Sequence, residues 1–300
     1  MANTLVNYSN NLAQVVSALV TRDLRVASLV NREFSTEFEG TRGGSVNVRI
    51  PASLTAQSRN LGVLTAYQTS DLVQATQPVV LTNDFYSRVA LADSDLTLSV
   101  TSYARDVLLP QSLSIAAGVE NMVVSKLQTV AADTTLGSAY DPTDKAQVLD
   151  FLVDVRAALR ALSAPETGLN VVLSVPAYAA MLKAIGGASY DQGVGDLASG
   201  KVVRVAGLNV AESNRLDTGE AIAFHRDAIT LAMQAPAAAR GADSANGQAD
   251  QSVPIRIVRA FDNATGAHVS LVNVFAGTAL MTANVEGTSK NWTIRVEAAG

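Results

Sequence analysis

The sequence predicts an α+β fold, and three features carry that reading. Ser45-Val46-Asn47-Val48-Arg49-Ile50 alternates strictly between polar and apolar residues, the period of a half-exposed strand. Val148, Leu152, Val155, Leu159 and Leu162 recur at steps of four, three, four and three, which lays one apolar stripe along a helix. The other segments mix strands and helices without βαβ regularity.

Taken in order, residues 10–34 predict a helix, with Leu12, Val15, Val16 and Leu19 on one face. Two readings stay open there: a helix packed on its own domain, or an arm reaching a neighbour. Gly40, Gly43 and Gly44 break the chain before the 45–50 strand, and Pro51 ends it. A polar stretch then runs to Gln77-Pro78 with no helical stripe. Stretches this long and loosely patterned are uncommon inside compact domains, so 36–78 reads as a long two-stranded excursion. Strands follow at 79–81 and 85–91. Asp95 is placed to cap a helix through Leu96, Val100, Tyr103 and Val107, with Pro110 kinking or restarting it. The helix continues to about Ala132 along Ala116, Val119, Val123, Leu127 and Val130. Together these segments predict a spine of roughly 50 Å at the α-helical rise.

Asp141-Pro142 reads as N-cap and first helical residue of the next helix, which Ala164-Pro165 closes. A buried strand at 169–173 and a helix at 176–185 stopped by Gly186-Gly187 come next. A glycine-rich loop spans 186–200. Strands are expected at 202–205, 208–211, 221–224 and 229–233, a mobile loop at 235–252, a hairpin at 255–261 and 268–275, and a last strand at 292–296.

Composition narrows the function. Charged residues make up 16% of the chain against about 25% in a typical soluble domain. Such a chain is short of the charge that keeps a surface wet, either because neighbouring subunits cover it or because it is an Ala- and Val-rich globule. The net charge of −5 and the scattered arginines argue against a sequence-reading DNA binder. There is no cysteine, which excludes disulfides, thiolate nucleophiles and cysteine metal sites. No signal-peptide pattern opens the chain and no apolar run approaches a membrane span, so a chain made in the cytoplasm with no membrane partner is expected.

The search for chemistry ends nearly empty. His225 and His268 are the only histidines and stand 43 positions apart, which gives no histidine metal site, and no EF-hand loop or spaced acidic cluster suggests a carboxylate site for magnesium. Gly195-Asp196-Leu197-Ala198-Ser199-Gly200-Lys201 matches seven positions of a P-loop, but Val202 replaces the hydroxyl residue that holds magnesium. The following residues also read as a strand where a P-loop needs a helix. His225-Arg226-Asp227 brings a base and a carboxylate together without a serine elbow. No catalytic residue, cofactor or metal is assigned, and an enzyme is not expected.

The order of elements resembles the major capsid protein of tailed bacteriophages, with the Hong Kong 97 fold, and its coat-protein-like branch in particular. Gly43 to Pro51 looks like the start of that family's extended loop, and Asp95 to Leu127 like its spine helix with Pro110 inside it. Val205 to Asn214 looks like the strand pair of its axial domain, and Ala223 to Ala228 like the turn that follows. The resemblance implies an N-terminal arm at 1–35, an extended loop at 36–78, a peripheral domain from 79–135 with 253–300, and an axial domain at 136–252. It implies self-assembly as hexamers and pentamers into an icosahedral virion shell around DNA held without sequence-specific contacts. The shell would form in the host bacterial cytoplasm, with portal and scaffolding proteins and with or without a decoration protein. Arg42, Arg49 and Arg59 on the extended loop are the expected inter-subunit residues, with Glu37 and Glu39 as partners. Residues 36–78 contain no lysine, so the covalent cross-link of some relatives is not expected. An encapsulin-like nanocompartment shares the implied fold and is the alternative; a soluble α+β enzyme is the more distant one.

Overall fold

The computed structural model describes residues 8–33, 44–50, 54, 56–62, 66–69, 72, 74–92, 103–187, 204–238, 243–247, 253–264, 266–285 and 288–298. From the N-terminus come helix α1 (Tyr8–Asp23), a 3-10 turn (Val26–Ser28), strands β1 (Ser45–Ile50), β2 (Ala75–Val80) and β3 (Asn83–Ala92), a π-helical turn (Ala104–Leu108) and helix α2 (Leu109–Gln128). Helices α3 (Thr134–Ser138) and α4 (Lys145–Ala161), strand β4 (Leu169–Ser174) and helix α5 (Val175–Gly187) follow. The later strands are β5 (Arg204–Val205), β6 (Leu208–Ser213), β7 (Glu220–His225), β8 (Ile229–Gln234), β9 (Asp243–Gly247), β10 (Ile255–Asp262) and β11 (Ala267–Leu280). The last three are β12 (Ala283–Val285), β13 (Thr288–Lys290) and β14 (Thr293–Glu297). The chain divides into two compact units. The first comprises Met1–Ser45, Val80–Lys126 and Leu231–Thr278, and the second Val46–Val79, Leu127–Thr230 and Ala279–Gly300.

The first unit is a helix laid across an antiparallel sheet in the order β3-β11-β10-β9, with β8 also pairing β11. Ala116, Val119 and Val123 of α2 are buried, as the stripe predicts, and Ile115 is buried beside them. Gln111 fixes the helix on the strands: its Nε2 donates to the carbonyls of Ser87 and Ser270 at 2.9 and 3.1 Å, and Ser270 Oγ donates back to its Oε1 at 2.9 Å. Pro110 lies in the first turn of α2, directly after the π turn. Proline has no N–H to give and its ring crowds the carbonyl four residues back, so the register changes there rather than inside the helix. The Asp95 cap lies outside the described residues. Helix Arg105–Gln128 is long and apolar enough to cross a membrane by length and composition, which the sequence reading did not expect; more than half of its most apolar stretch is buried, as in a core helix.

Helix α1 packs on β9 and β10 of its own unit, the plainer of the two readings. Its buried face is Ala13, Val16, Ser17 and Val20, rotated from the expected stripe, and Val15 is exposed. The rotation has a polar cause. Ser17 Oγ donates to the Val253 carbonyl at 2.6 Å, and Val253 N–H donates to Thr21 Oγ1 at 2.9 Å. The small polar side chains face inward to pair a strand's backbone. Strand β9 is a second departure: a segment expected to be a mobile loop supplies an edge strand, with Gly247 opposite Ile255 and Asp243 opposite Arg259. Backbone pairing at an edge places little demand on side chains, so Asp-Ser-Ala-Asn-Gly could not announce it.

Glu120 of α2 is 3% exposed. Its carboxylate accepts the backbone N–H groups of Arg25, Val26 and Ala27, the latter two at 3.2 Å. No local side chain caps the 3-10 turn, so a residue 94 positions away does it. Glu120→Ala would strand three donors, each costing about 1–3 kcal/mol when unsatisfied. The expected loss is about 3 kcal/mol with faster exchange of the 25–27 amides, read by denaturant titration and hydrogen exchange. Glu120→Gln, which keeps an acceptor, should lose about half as much.

The second unit is built on a five-stranded sheet in the order β14-β7-β4-β6-β5. Strand β4 is buried along its whole length and runs parallel to its neighbour β6. The β5–β6 hairpin turns through Ala206 and Gly207, both at positive φ (49° and 82°), the two-residue turn that matches strand twist. Helices α4 and α5 bury Val148, Leu152, Val155, Leu159, Ala177 and Met181 against Leu169, Val171 and Leu173. Helix α4 starts later than expected. Asp144 is its N-cap, accepting from Ala146 N at 2.8 Å, while Asp141 closes a turn with Thr143 N and Oγ1 at 2.8 and 2.7 Å. Strand β14, grouped above with 79–135, pairs with β7 in this sheet. The end of α2 is also set here: Asp133 N–H donates to Arg295 O at 2.8 Å and Ala132 bridges Arg295, so 130–133 pair with a strand and the helix stops at Gln128, short of Ala132.

Tyr140 stacks on Phe151 at 4.2 Å, and burial raises its hydroxyl above the ordinary phenol value of 10.0. The folded state therefore holds the neutral form. Its stability contribution is intact below the unfolded phenol's pKa and is lost as pH rises toward the raised folded value. Tyr140→Phe should flatten the alkaline limb of a stability-versus-pH curve above about pH 10.

Candidate subunit interface

Strands β1 and β2 form a two-stranded ribbon, as the excursion predicts. Val46 and Val48 are buried on one face while Asn47 and Arg49 are exposed on the other. The Leu81 N–H donates to Gly44 O at 2.8 Å, continuing the pairing past both strands. Between the strands, every described residue from Leu54 to Gln74 is exposed. Among the described residues, that stretch presents four large apolar side chains, Leu54, Leu61, Tyr67 and Leu72. Scattered exposed apolar residues need no explanation, but a run of them on a segment without a core marks an interaction surface.

Arg59 and Tyr67 stand on either side of the turn at Leu61-Gly62, where Gly62 takes φ +85°. The Arg59 guanidinium carbon lies 4.1 Å from the Tyr67 ring centroid, and Nη2 donates to the phenol oxygen at 2.9 Å. Cation–π contacts at exposed sites contribute about 0.5–1 kcal/mol. Of the five interface residues expected from sequence, Arg49 and Arg59 are exposed on this segment. Arg42, Glu37 and Glu39 lie outside the described residues. The four apolar residues are not among those five. Their signal was large side chains in a polar stretch at spacings of seven, six and five, which fit neither helix nor strand.

The residues considered for chemistry have structural roles or lie outside the described residues. His225 is 5% exposed. Its Nε2 lies 2.8 Å from the Thr167 carbonyl and its Nδ1 accepts the Asp227 N–H at 3.2 Å. The ring thus caps the turn, packed edge-on against Trp292 at 5.2 Å. His268 packs on Phe261 at 5.1 Å. The P-loop-like residues 195–201 lie outside the described residues. No cluster of metal-binding side chains occurs among the described residues.

No family model matches the sequence, and no curated relative matches it. Solved structures do match in fold. A chain of Mycobacterium phage Che8 aligns at 14% identity with a TM-score of 0.62, over 91% of this chain and 90% of that one. The capsid of cyanophage P-SCSP1u aligns at 12% identity and 0.62, over 92% and 88%. The capsid of a native GTA particle aligns at 11% identity and 0.57, over 94% and 91%. The chain therefore has the fold of phage capsid proteins, the Hong Kong 97 type that its element order resembles.

Proposed function

We propose that this chain is the major capsid protein of a tailed bacteriophage. It associates with copies of itself, as hexamers and pentamers, into an icosahedral shell around double-stranded DNA. The observation that carries the reading is a capsid fold over nine-tenths of the chain, with Leu54, Leu61, Tyr67 and Leu72 exposed on the excursion. The role is structural, not catalytic. On this reading 1–35 is the N-terminal arm, 36–78 the extended loop, 79–135 with 253–300 the peripheral domain, and 136–252 the axial domain, except that strands β8 and β9 join the peripheral sheet and β14 the axial one. The extended loop lies over a neighbouring subunit, with Arg42, Arg49, Arg59, Glu37 and Glu39 at that contact. Without a lysine in 36–78, the shell is held by buried area or by a decoration protein rather than by cross-links. Portal and scaffolding proteins complete assembly in the host bacterial cytoplasm, and the product is the virion shell.

Sedimentation velocity of the purified chain tests this. The expected result is material sedimenting as capsomers or shells, far above a 31.2 kDa monomer. Nuclease-resistant DNA in particles from phage-infected cells would mark a genome container, whereas a protein cargo would mark a nanocompartment.

A further inference from the structure

We infer that the tip of the extended segment is a preorganised apolar anchor that seats on a second copy of this chain, and that Arg59 is its positioning residue rather than a charge reaching across. The inference rests on the capsid reading and assigns the working residues of the segment named there.

The first ground is where the arginine's groups already are. The Arg59 guanidinium is stacked on Tyr67 and donates to its hydroxyl. An arginine built to grip a carboxylate across subunits presents its planar fork outward. This one spends a face and a donor inside its own segment. The second ground is what the clasp presents. Arg59 and Tyr67 stand on either side of Leu61, which is fully exposed. Leu54 and Leu72 flank it with more than half of their surface in water. Fully burying a leucine is worth about 1.5–3 kcal/mol, and holding a loop in its bound shape removes ordering cost from association. The third ground is the choice of partner. Among its described residues from 54 to 74 the segment buries no side chain, and the fold is that of chains whose solved forms are capsids. A tip and its receptor on different patches of one chain make a heterologous contact, the kind that propagates into rings and closed lattices.

The test compares the wild type with Leu61→Asp, Arg59→Ala, Tyr67→Ala and the Arg59→Ala/Tyr67→Ala pair, reading the threshold concentration for assembly by light scattering. Melting curves check that each variant folds; these side chains are exposed, so no shift beyond a degree or two is expected. Leu61→Asp should raise the threshold at least tenfold. The Arg59 and Tyr67 single variants should each raise it severalfold, and the double variant no further than either alone, because both remove the same clasp. The wild-type threshold should change less than twofold between 0.1 and 1 M NaCl, since an apolar contact is not screened. An unchanged threshold for Leu61→Asp overturns the anchor. Additive Arg59 and Tyr67 effects, or a steep loss of assembly in salt, overturn the positioning role and return Arg59 to a cross-subunit ion pair. A wild-type chain that never assembles fails the capsid reading itself, a separate result.

Discussion

Gly277→Ala should lower the stability of the folded chain by about 3 kcal/mol, at the upper end of overpacking costs. A Cβ on Gly277 would stand 1.9 Å from the Val80 carbonyl oxygen, 2.7 Å from its carbon and 3.0 Å from Leu81 Cα. All three are backbone atoms, so no rotamer change relieves the clash. The crossing is also pinned, because the Thr82 N–H donates to Ala276 O at 3.2 Å and Asn83 pairs with Ala276. Strand β11 must therefore move off the 80–82 connection or the connection must open. Gly118→Ala is the control. Its Cβ would meet the Phe85 ring at 2.8 Å, but a ring can tilt, so a loss of about 1 kcal/mol is expected. Equilibrium urea unfolding of both variants checks the pair. Equal losses would mean that the strand crossing is not rigid.

Arg295→Ala should cost about 3–5 kcal/mol, the cost of leaving a buried charge without its partner. Glu220 has a side chain 2% exposed and receives Arg295 Nε at 2.7 Å and Gln128 Nε2 at 2.7 Å. Removing the arginine traps the carboxylate with an amide as its main donor. The reverse change, Glu220→Ala, should cost less. Arg295 is 19% exposed at its side chain, still pairs with Glu297, and can turn toward water. The double change Glu220→Met with Arg295→Met should recover most of the loss, since the desolvation penalty disappears with both charges. Thermal melts of the wild type and these three variants check the ranking. A double variant as damaged as Arg295→Ala would show that the pair, not the stranded charge, supplies the stability.

Several elements were legible because the local pattern and the tertiary fold agree. The alternation at 45–50, the stripe of α4 and the hairpin whose strands flank Asp262 to Gly266 lie where the side-chain periods put them. The misses have physical causes. Helix α1 faces inward with Ser17 because a strand's backbone needs its hydroxyl. Asp141 and Asp144 are both competent caps three residues apart, and only the fold decides between a turn and a helix start. Helix α2 ends at Gln128 because β14, distant in sequence, takes the backbone of 130–133. The candidate interface was half legible. Charge drew attention to Arg49 and Arg59, whereas Leu54, Leu61, Tyr67 and Leu72 follow no intrachain period. On the proposed reading their partners belong to another copy, and one chain's periodicity does not encode those contacts.

Negative-stain microscopy of the purified chain, expressed alone and then with its neighbouring genes, tests the central claim most directly. Closed polyhedral shells or sheets of hexamers are the predicted result. A monodisperse monomer under both conditions would contradict it.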